Sequence, residues 1–278
     1  MRANASWNSL HRKRITERNN CYSIAAAFKK FLIDYSSITT GVLMLKEFDE
    51  LHFPPFEGFP KESVSFLKKL KKNNNREWFN AHRDEFEQFV KFPMQSFIAS
   101  MQPHFSDFAP EFDVHPKRSM FRIYRDTRFS KNKTPYKTHM AAHFVLKGKP
   151  KGFEGSGYYL HIAPGEVFIG GGIYMPDNDQ LKMIRKAIAN DSKTFLAIIN
   201  KPSFKKTFGT INGQKLSRAP KGYEPNHPMI EWLKMKQFFT GVDLKETTCY
   251  KKDFPKRIAQ LCKELAPLVD FMNKAMGF

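Results

Sequence analysis

The sequence predicts an α+β fold: a central antiparallel sheet arranged as a meander, with helices before and after it packed on one of its faces. Two changes of period predict this order. Apolar residues recur every three or four positions from residue 61 to residue 101 and again after residue 177, as in amphipathic helices. Between residues 119 and 173 apolar and polar residues alternate, as in half-buried strands. Residues 44–278 show no internal repeat and no obvious linker, so we expect one domain there.

The helices before the sheet have clear boundaries. Val64, Leu67 and Leu70 share one face of a helix in the segment ESVSFLKKLKK. Asn75 is expected to cap the next helix, because an asparagine side chain accepts hydrogen bonds from the first free backbone N–H groups. Pro93 is expected to end that helix, and a further helical segment follows it.

The sheet is predicted from four strands, at residues 119–126, 138–146, 157–163 and 166–173. Pro164 and Gly165 form a two-residue turn, which places Ala163 opposite Glu166. Counting outward from this turn pairs residues of matching character: Ile162 with Val167, His161 with Phe168, Leu160 with Ile169, and Tyr159 with Gly170. A shift of one position would mix apolar with polar partners, so the register is well determined.

Alternation along these strands gives the sheet two different faces. One is apolar and must be covered by helices; it holds Phe121, Ile123, Met140, Ala142, Phe144, Leu146, Tyr158, Leu160, Ile162, Val167, Ile169 and Ile173. The other face is rich in groups that recognise ligands: Arg122, Tyr124, His139, His143, Tyr159, His161 and Phe168, with glycines at 170 and 172. After the sheet we expect helices at residues 177–189, 193–200 and 228–236 and a long helix from about residue 254, while the segment FFTGVDLKETTCY is consistent with one more strand.

Composition favours anionic partners without choosing one. The chain carries 46 Lys plus Arg against 27 Asp plus Glu, a net charge of +19. Such an excess suits nucleic acids, phosphorylated metabolites and acidic proteins alike. The three cysteines show neither metal-ligand spacing nor an even number for disulfides, which indicates a reducing, cytoplasmic location. No apolar run approaches the roughly 20 residues of a membrane span, so no membrane partner is expected.

Residues 1–43 differ in composition from the rest of the chain. They hold seven basic residues and two acidic ones, with many Ser, Asn and Thr. This composition is typical of an organellar transit peptide. The basic positions do not segregate onto one helical face, which favours a disordered tail or a start codon assigned too early, with Met44 as the working start. We therefore exclude this N-terminal extension from the fold and the function.

The segment RIYRDTRFSKNKTPY at residues 122–136 fits the pattern R-x-x-R-D-x-R-F-x-x-[DN]-K-x-x-Y. Further characteristic segments stand in order around it: GFPKESVSFLKKLKKNNNREWFNAHRDEF, GYYLHIAPGEVFIGGGIYMP and RAPKGYEPNHPMIEWLKMKQFF. With these segments the chain resembles the family called domain of unknown function 2461, over residues 56–276. The resemblance implies kinship and carries no activity with it.

The charged segment also predicts roles for individual residues. Arg125 points to the covered side of its strand and is expected to pair with Asp126 or with an acid from a helix, so Arg125 and Asp126 are assigned structural roles, as is Tyr136, packed beside Pro135. Groups on the other face or on the following loop are predicted to bind ligand: Arg122, Tyr124, Arg128, Lys133 and His139. Hydrogen bonding and proton transfer near neutral pH suit imidazole and phenol groups, so the predicted catalytic residues are His143, His161 and Tyr159.

No metal site is predicted. The segment HMAAH has the spacing of paired ligands on a helix, but on a strand its two histidines, His139 and His143, lie about 13 Å apart. Neighbouring arginines also disfavour a cation.

The leading hypothesis is a pocket protein, or an enzyme, that binds a phosphate- or carboxylate-bearing small molecule. A nucleic-acid-binding protein and a noncatalytic interaction domain are the alternatives. The sequence does not decide whether the protein is an enzyme, which cofactor it uses or how many copies assemble.

Overall fold

The computed structural model describes residues 53–149 and 155–278, which belong to the unit Glu50–Phe278. The predicted extension at residues 1–43 lies outside the described residues. Helices come first: α1 (Lys61–Lys72), α2 (Arg76–Ala81), α3 (Arg83–Phe86), a π-helical turn (Glu87–Lys91) and α4 (Phe92–Phe108). The chain then enters the sheet.

The boundaries of these helices follow from local chemistry. Asn75 caps α2 as expected, since its side chain accepts a 2.8 Å hydrogen bond from the Trp78 N–H. The expected break at Pro93 is wrong. Pro93 stands in the first turn of α4, directly after the π-helical turn, and the chain remains helical to Phe108. The first turn of a helix tolerates proline because its N–H groups have few intrahelical partners.

The sheet is a five-stranded antiparallel meander. Its strands are β1 (Phe112–Asp113), β2 (Met140–Leu146), β3 (Gly157–Ala163), β4 (Glu166–Ile173) and β5 (Phe238–Leu244), in the spatial order of the chain. The register around the β3–β4 turn is confirmed, from Ala163 opposite Glu166 to Tyr159 opposite Gly170. The segment FFTGVDL supplies the fifth strand, so the α+β prediction is confirmed.

The predicted strand at residues 119–126 is wrong. Only isolated bridges form there, from Met120 to Ala142 and from Tyr124 to Tyr136. Residues 119–121 pair with β2, since the Phe121 N–H donates to the Ala141 carbonyl at 3.0 Å. Beyond them the Arg125 N–H donates to the Pro135 carbonyl at 2.9 Å, so the rest of the segment folds back on itself. Because Met120 pairs with Ala142, its neighbour Phe121 lies on the face of His143 and not on the apolar face as predicted.

The remaining elements follow β4. They are α5 (Asn178–Asn190), α6 (Ser192–Asn200), α7 (Pro202–Phe208), α8 (Ile230–Leu233), a 3₁₀ turn (Glu246–Thr248) and α9 (Phe254–Ala275). Asp177 caps α5 by accepting from the N–H groups of Asp179 and Gln180, at 2.9 and 2.8 Å. No helix within the described residues is both long enough and apolar enough to span a bilayer.

Helices from both ends of the described chain cover the apolar face of the sheet. From α4, the ring of Phe105 packs on Phe144 and Tyr158, with centroid distances of 4.8 and 5.4 Å. From α9, Leu265 and Val269 pack directly on Gly171, where an added Cβ would lie only 3.2–3.3 Å from their methyl carbons. The glycine thus lets α9 approach β4 closely, which is a packing role and not a ligand-binding one.

Candidate functional site

The imidazole and phenol groups of the opposite face do lie together. His143 is the β-sheet partner of Tyr159, and His161 is the partner of Ala141. The ring of His139 stacks on that of His161, with centroids 4.3 Å apart and planes 15° apart. The Tyr159 hydroxyl lies 3.2 Å from His161 Nδ1. We call these four residues, His139, His143, Tyr159 and His161, the imidazole face.

Other side chains of the same surface pack onto the imidazole face. Phe121 stacks on His143 with planes 17° apart and a centroid distance of 5.8 Å. The Lys137 Nζ atom lies over the same phenyl ring, 4.8 Å from its centroid. Farther along, the Phe168 ring lies against Gly170 and Gly241 and occupies the space that their side chains would need. The rings of this surface therefore largely fill one another's space.

Burial keeps two histidines of the imidazole face, His139 and His161, uncharged near neutral pH. Burial, with smaller contributions from the nearby His161 and Lys137, lowers the pKa of His139 to about 4. Burial also lowers the pKa of His161, although the carboxylates of Glu166 and Asp243 oppose that change. Desolvation disfavours an imidazolium, so both rings are neutral bases at pH 7.

One atom of the imidazole face has an unusual environment. His161 Nε2 is buried and has no hydrogen-bond partner within residues 53–149 and 155–278. The Glu166 Oε1 atom is 3.9 Å from it, beyond hydrogen-bonding distance. Among those same residues, no three His, Cys, Asp or Glu side chains are arranged to hold a metal ion.

The basic segment, residues 122–137, is tied together mainly by its own side chains. Arg125 Nη1 donates to the Thr134 carbonyl at 3.2 Å and to the Thr134 hydroxyl, and Nη2 donates to Ser130 Oγ at 3.4 Å. Asp126 accepts from Arg128 Nε at 3.1 Å and from Nη2 at 2.8 Å. The expected pair of Arg125 with Asp126 is therefore wrong, because the carboxylate turns to Arg128.

These bonds have electrostatic consequences for the segment. The Arg128 guanidinium, with the Arg128 N–H, lowers the pKa of Asp126 to about 2. Lys133 Nζ donates to the Thr127 carbonyl at 2.9 Å, and Asn132 Oδ1 accepts from the Thr134 N–H at 2.9 Å. Arg128 and Lys133 were both predicted to bind ligand. In the structure their side chains form hydrogen bonds within the loop and stabilise its conformation.

A second set of contacts ties the basic segment to α2. Tyr136 is buried and stacks on Phe79, with centroids 4.1 Å apart and planes 20° apart. The Asn74 side chain bonds both backbone groups of Tyr136, donating to its carbonyl at 2.9 Å and accepting from its N–H at 3.0 Å. A predicted structural role for Tyr136 agrees with this position.

Between α2 and the basic segment lies a cavity of about 310 Å³, which we call the arginine cleft. It is lined by Arg76, Asn80, Tyr124, Arg125, Thr127, Pro135 and Tyr136. Two guanidinium groups and no carboxylate line it. Within the described residues neither Arg76 nor Arg125 forms an ion pair with an acidic side chain. The cleft therefore carries uncompensated positive charge.

A second cavity, of about 320 Å³, differs from the arginine cleft in that its arginine is paired with a carboxylate. Its guanidinium, that of Arg118, donates to Asp113 at 2.7 and 2.8 Å. Its ammonium, that of Lys147, donates to the Pro110 carbonyl at 2.5 Å. The Asp113 carboxylate neutralises the charge of Arg118, so this cavity is less suited than the arginine cleft to binding an external anion.

The predicted site residues thus fall into separate groups. His139, His143, Tyr159 and His161 form the imidazole face, whereas Tyr124 and Arg125 line the arginine cleft. Tyr124 packs near Phe79 and Tyr136 instead of the histidines. Arg122 is exposed, and its charge adds to the effect of burial in lowering the pKa of Lys137.

Sequence reasoning missed Arg76 and Asn80. Both stand on α2, about fifty residues before the basic segment, and no local pattern links them to it. The sequence feature that could have indicated this proximity is the run NNN. Asn75 caps α2, while the Asn74 side chain hydrogen-bonds to the backbone of Tyr136. The contact of Asn74, together with the stacking of Phe79 on Tyr136, brings α2 to the basic segment.

The model of the family described as conserved hypothetical protein (DUF2461) matches residues 62–271. No curated protein matches the chain. The matched range contains the basic segment, the arginine cleft and the imidazole face. The chain therefore belongs to the DUF2461 family.

Proposed function

We propose that the protein binds a small anionic ligand, bearing phosphate or carboxylate, in the arginine cleft. The observation that supports this proposal is the lining of the cavity, in which Arg76 and Arg125 meet no carboxylate. Two guanidinium groups close together repel each other unless water or an anion lies between them. Guanidinium groups also match the planar, two-oxygen geometry of these anions.

The cleft has further properties of a ligand site. Its volume of about 310 Å³ is at the lower end of the roughly 300–1,000 Å³ usual for small-molecule sites, so the ligand is small. Asn80, Tyr124 and Thr127 add amide and hydroxyl groups that orient a polar molecule. Arg125 is fixed by Thr134 and Ser130, so little side-chain entropy is lost when the anion binds.

The other predicted ligand residues act on the cleft indirectly. Arg128 and Lys133 hold the loop whose base carries Arg125. Arg122 adds positive potential at the surface, and His139 belongs to the imidazole face. We also propose a cytoplasmic location, which the buried free thiols of Cys249 and Cys262 support.

Isothermal titration with inorganic phosphate, pyrophosphate and citrate tests the proposal. We expect Arg76→Gln to weaken the best of these ligands about 10- to 100-fold, as the loss of a charged hydrogen bond does. Arg257→Gln is the matched control, since it removes the same charge from an exposed position on α9. Absence of binding in the wild-type protein, or equal weakening by both variants, would refute the proposal.

A second candidate function is acid–base catalysis at the imidazole face. The hydrogen bond between Tyr159 and the neutral His161 favours it, because a neutral imidazole accepts a proton near pH 7. In this proposal His143, Tyr159 and His161 are the catalytic residues. Hydrolysis of p-nitrophenyl phosphate and p-nitrophenyl acetate is the assay. Activity that His161→Gln abolishes without loss of folding supports the candidate; no activity, or unchanged activity in the variant, contradicts it.

A further inference from the structure

Phe129 is the most exposed large apolar side chain within the described residues, with 96% of its surface in contact with solvent. It stands in the loop at residues 126–134, which we call the braced loop. Phe129 does not line the arginine cleft. The small-ligand proposal therefore leaves this ring without a role.

The position of Phe129 is fixed by its neighbours. Before Phe129 in the sequence, Arg128 donates two side-chain hydrogen bonds to the carboxylate of Asp126. After Phe129, Lys133 reaches across the loop and donates to the Thr127 carbonyl at 2.9 Å. These bonds order the loop when the protein folds. Binding of a partner to the exposed phenyl ring therefore costs little further conformational entropy.

The surroundings of the ring are strongly basic. Residues 122–137 hold six Lys or Arg and one acid, Asp126, a net charge of +5. Asp126 is already paired with Arg128. Arg122 and Lys131 are exposed, and within the described residues neither forms an ion pair. The braced loop thus presents one aromatic ring beside Lys131 and Lys133, neither of which forms an ion pair within the described residues.

We infer that the braced loop binds single-stranded nucleic acid, with an unpaired base stacked on Phe129 and phosphates beside Lys131 and Lys133. Proteins that bind single strands combine aromatic stacking with a cationic surface in this way. The Arg128 guanidinium lies 5.7 Å from the Phe129 centroid and adds a cationic partner for the stacked base.

A lipid surface fits this loop less well. Phe129 is followed by Ser130, Lys131, Asn132 and Lys133, so only one apolar side chain is available for insertion. A single hydrophobic anchor gives marginal membrane binding. A nucleic acid uses both features of the loop, because its bases stack on the ring and its phosphates contact the lysines.

Fluorescence anisotropy of a labelled oligothymidylate of about 20 nucleotides, at about 20 mM salt and above, tests the inference. We expect Phe129→Ala to weaken binding about 5- to 150-fold, the range for losing one stacked base. Met175→Ala is the matched control, because Met175 is also an exposed apolar side chain, at 82%. Lys131→Gln should reduce the slope of log affinity against log salt by about 0.7.

Several results would overturn the inference. They are no oligonucleotide binding at low salt, equal affinity of Phe129→Ala and the wild type, equal affinity for duplex and single strand, or binding to phosphatidylserine vesicles without binding to oligonucleotides. The test is separate from that of the arginine cleft. Phe129→Ala should leave phosphate and pyrophosphate binding unchanged, so either proposal can fail while the other stands.

Discussion

The imidazole face and the arginine cleft contain similar kinds of residues but are built in opposite ways. On the imidazole face, His139 lies on His161 and Phe121 lies on His143, so the rings pack on and desolvate one another. In the arginine cleft, Arg76 and Arg125 border about 310 Å³ of open space and meet no acid. Residue type alone would favour the first region as the ligand site; packing and charge favour the second.

The difference shows what a ligand site requires beyond suitable side chains. Neutral, half-buried histidines fit a packed surface, because partial burial lowers the pKa values of His139 and His161 and removes their charge. Guanidinium groups do not lose their charge in this way. A pair of them around an opening therefore needs an anion or water, and this need distinguishes a binding cleft from a packed cluster.

The largest expected effect concerns the wall of the cleft. Tyr136→Ala removes a ring that is 3% exposed and stacked on Phe79, so we expect a loss of about 3–5 kcal/mol in the free energy of unfolding. Tyr124→Ala, at a ring that is 45% exposed, should cost less than about 1 kcal/mol. Urea denaturation measures both. Equal losses would show that Tyr136 does not hold the cleft together.

The next effect concerns pH and the imidazole face. The pKa of His139 falls from 6.5 to about 4 on folding, so between these values the unfolded chain binds a proton that the folded chain does not. The stabilising contribution is thus complete above pH 6.5 and is lost as the pH falls towards 4. We expect this residue to account for a loss of about 1–2 kcal/mol between pH 7 and pH 4, because solvent around the partly exposed ring screens part of the effect.

Urea unfolding across this pH range checks the prediction. His139→Gln should lose less stability on acidification than the wild type. If the slopes of wild type and His139→Gln coincide, the imidazole of His139 is not desolvated as the structure shows.

A smaller effect is expected at the Tyr159 hydroxyl. Tyr159→Phe removes its 3.2 Å contact with His161 Nδ1, which should cost about 0.5–1.5 kcal/mol of stability. Phosphate and pyrophosphate affinity should not change, because Tyr159 does not line the arginine cleft. Calorimetric titration of the variant measures this, and a lowered affinity would show that the two regions act as one site.

The smallest effect is expected at the adjacent tyrosine. Tyr158 points to the apolar face, and its buried hydroxyl has no hydrogen-bond partner among the described residues. Tyr158→Phe should therefore change stability by less than about 0.5 kcal/mol or increase it, because an unsatisfied buried hydroxyl is costly. Thermal unfolding beside Tyr159→Phe provides the comparison. A larger loss in Tyr158→Phe would mean that its hydroxyl has a partner.

Most of the fold could be predicted from the sequence because it depends on local patterns. The turn at Pro164 and Gly165 determined the pairing of β3 with β4, and alternation along the two strands agreed with it. The helix caps at Asn75 and Asp177 are likewise local. Such features need no knowledge of distant contacts.

The basic segment could not be predicted in the same way. Alternation suggested a strand there, but the backbone bonds between Arg125 and Pro135 fold the chain back, and one shifted position moved Phe121 to the other face. Whether Asp126 pairs with Arg125 or with Arg128 depends on the conformation of the loop, which local sequence patterns do not specify. Arg76 enters the cleft through the contact of Asn74 with Tyr136, which joins residues 62 positions apart.

Anomalous scattering from crystals soaked in tungstate, a heavy mimic of phosphate, tests the central claim most directly. We expect the strongest peak within hydrogen-bonding distance of the guanidinium groups of Arg76 and Arg125, and we expect it to disappear in Arg76→Gln. A cleft without tungstate, or a stronger peak beside His139 and His161, would contradict the assignment of the anion site to the arginine cleft.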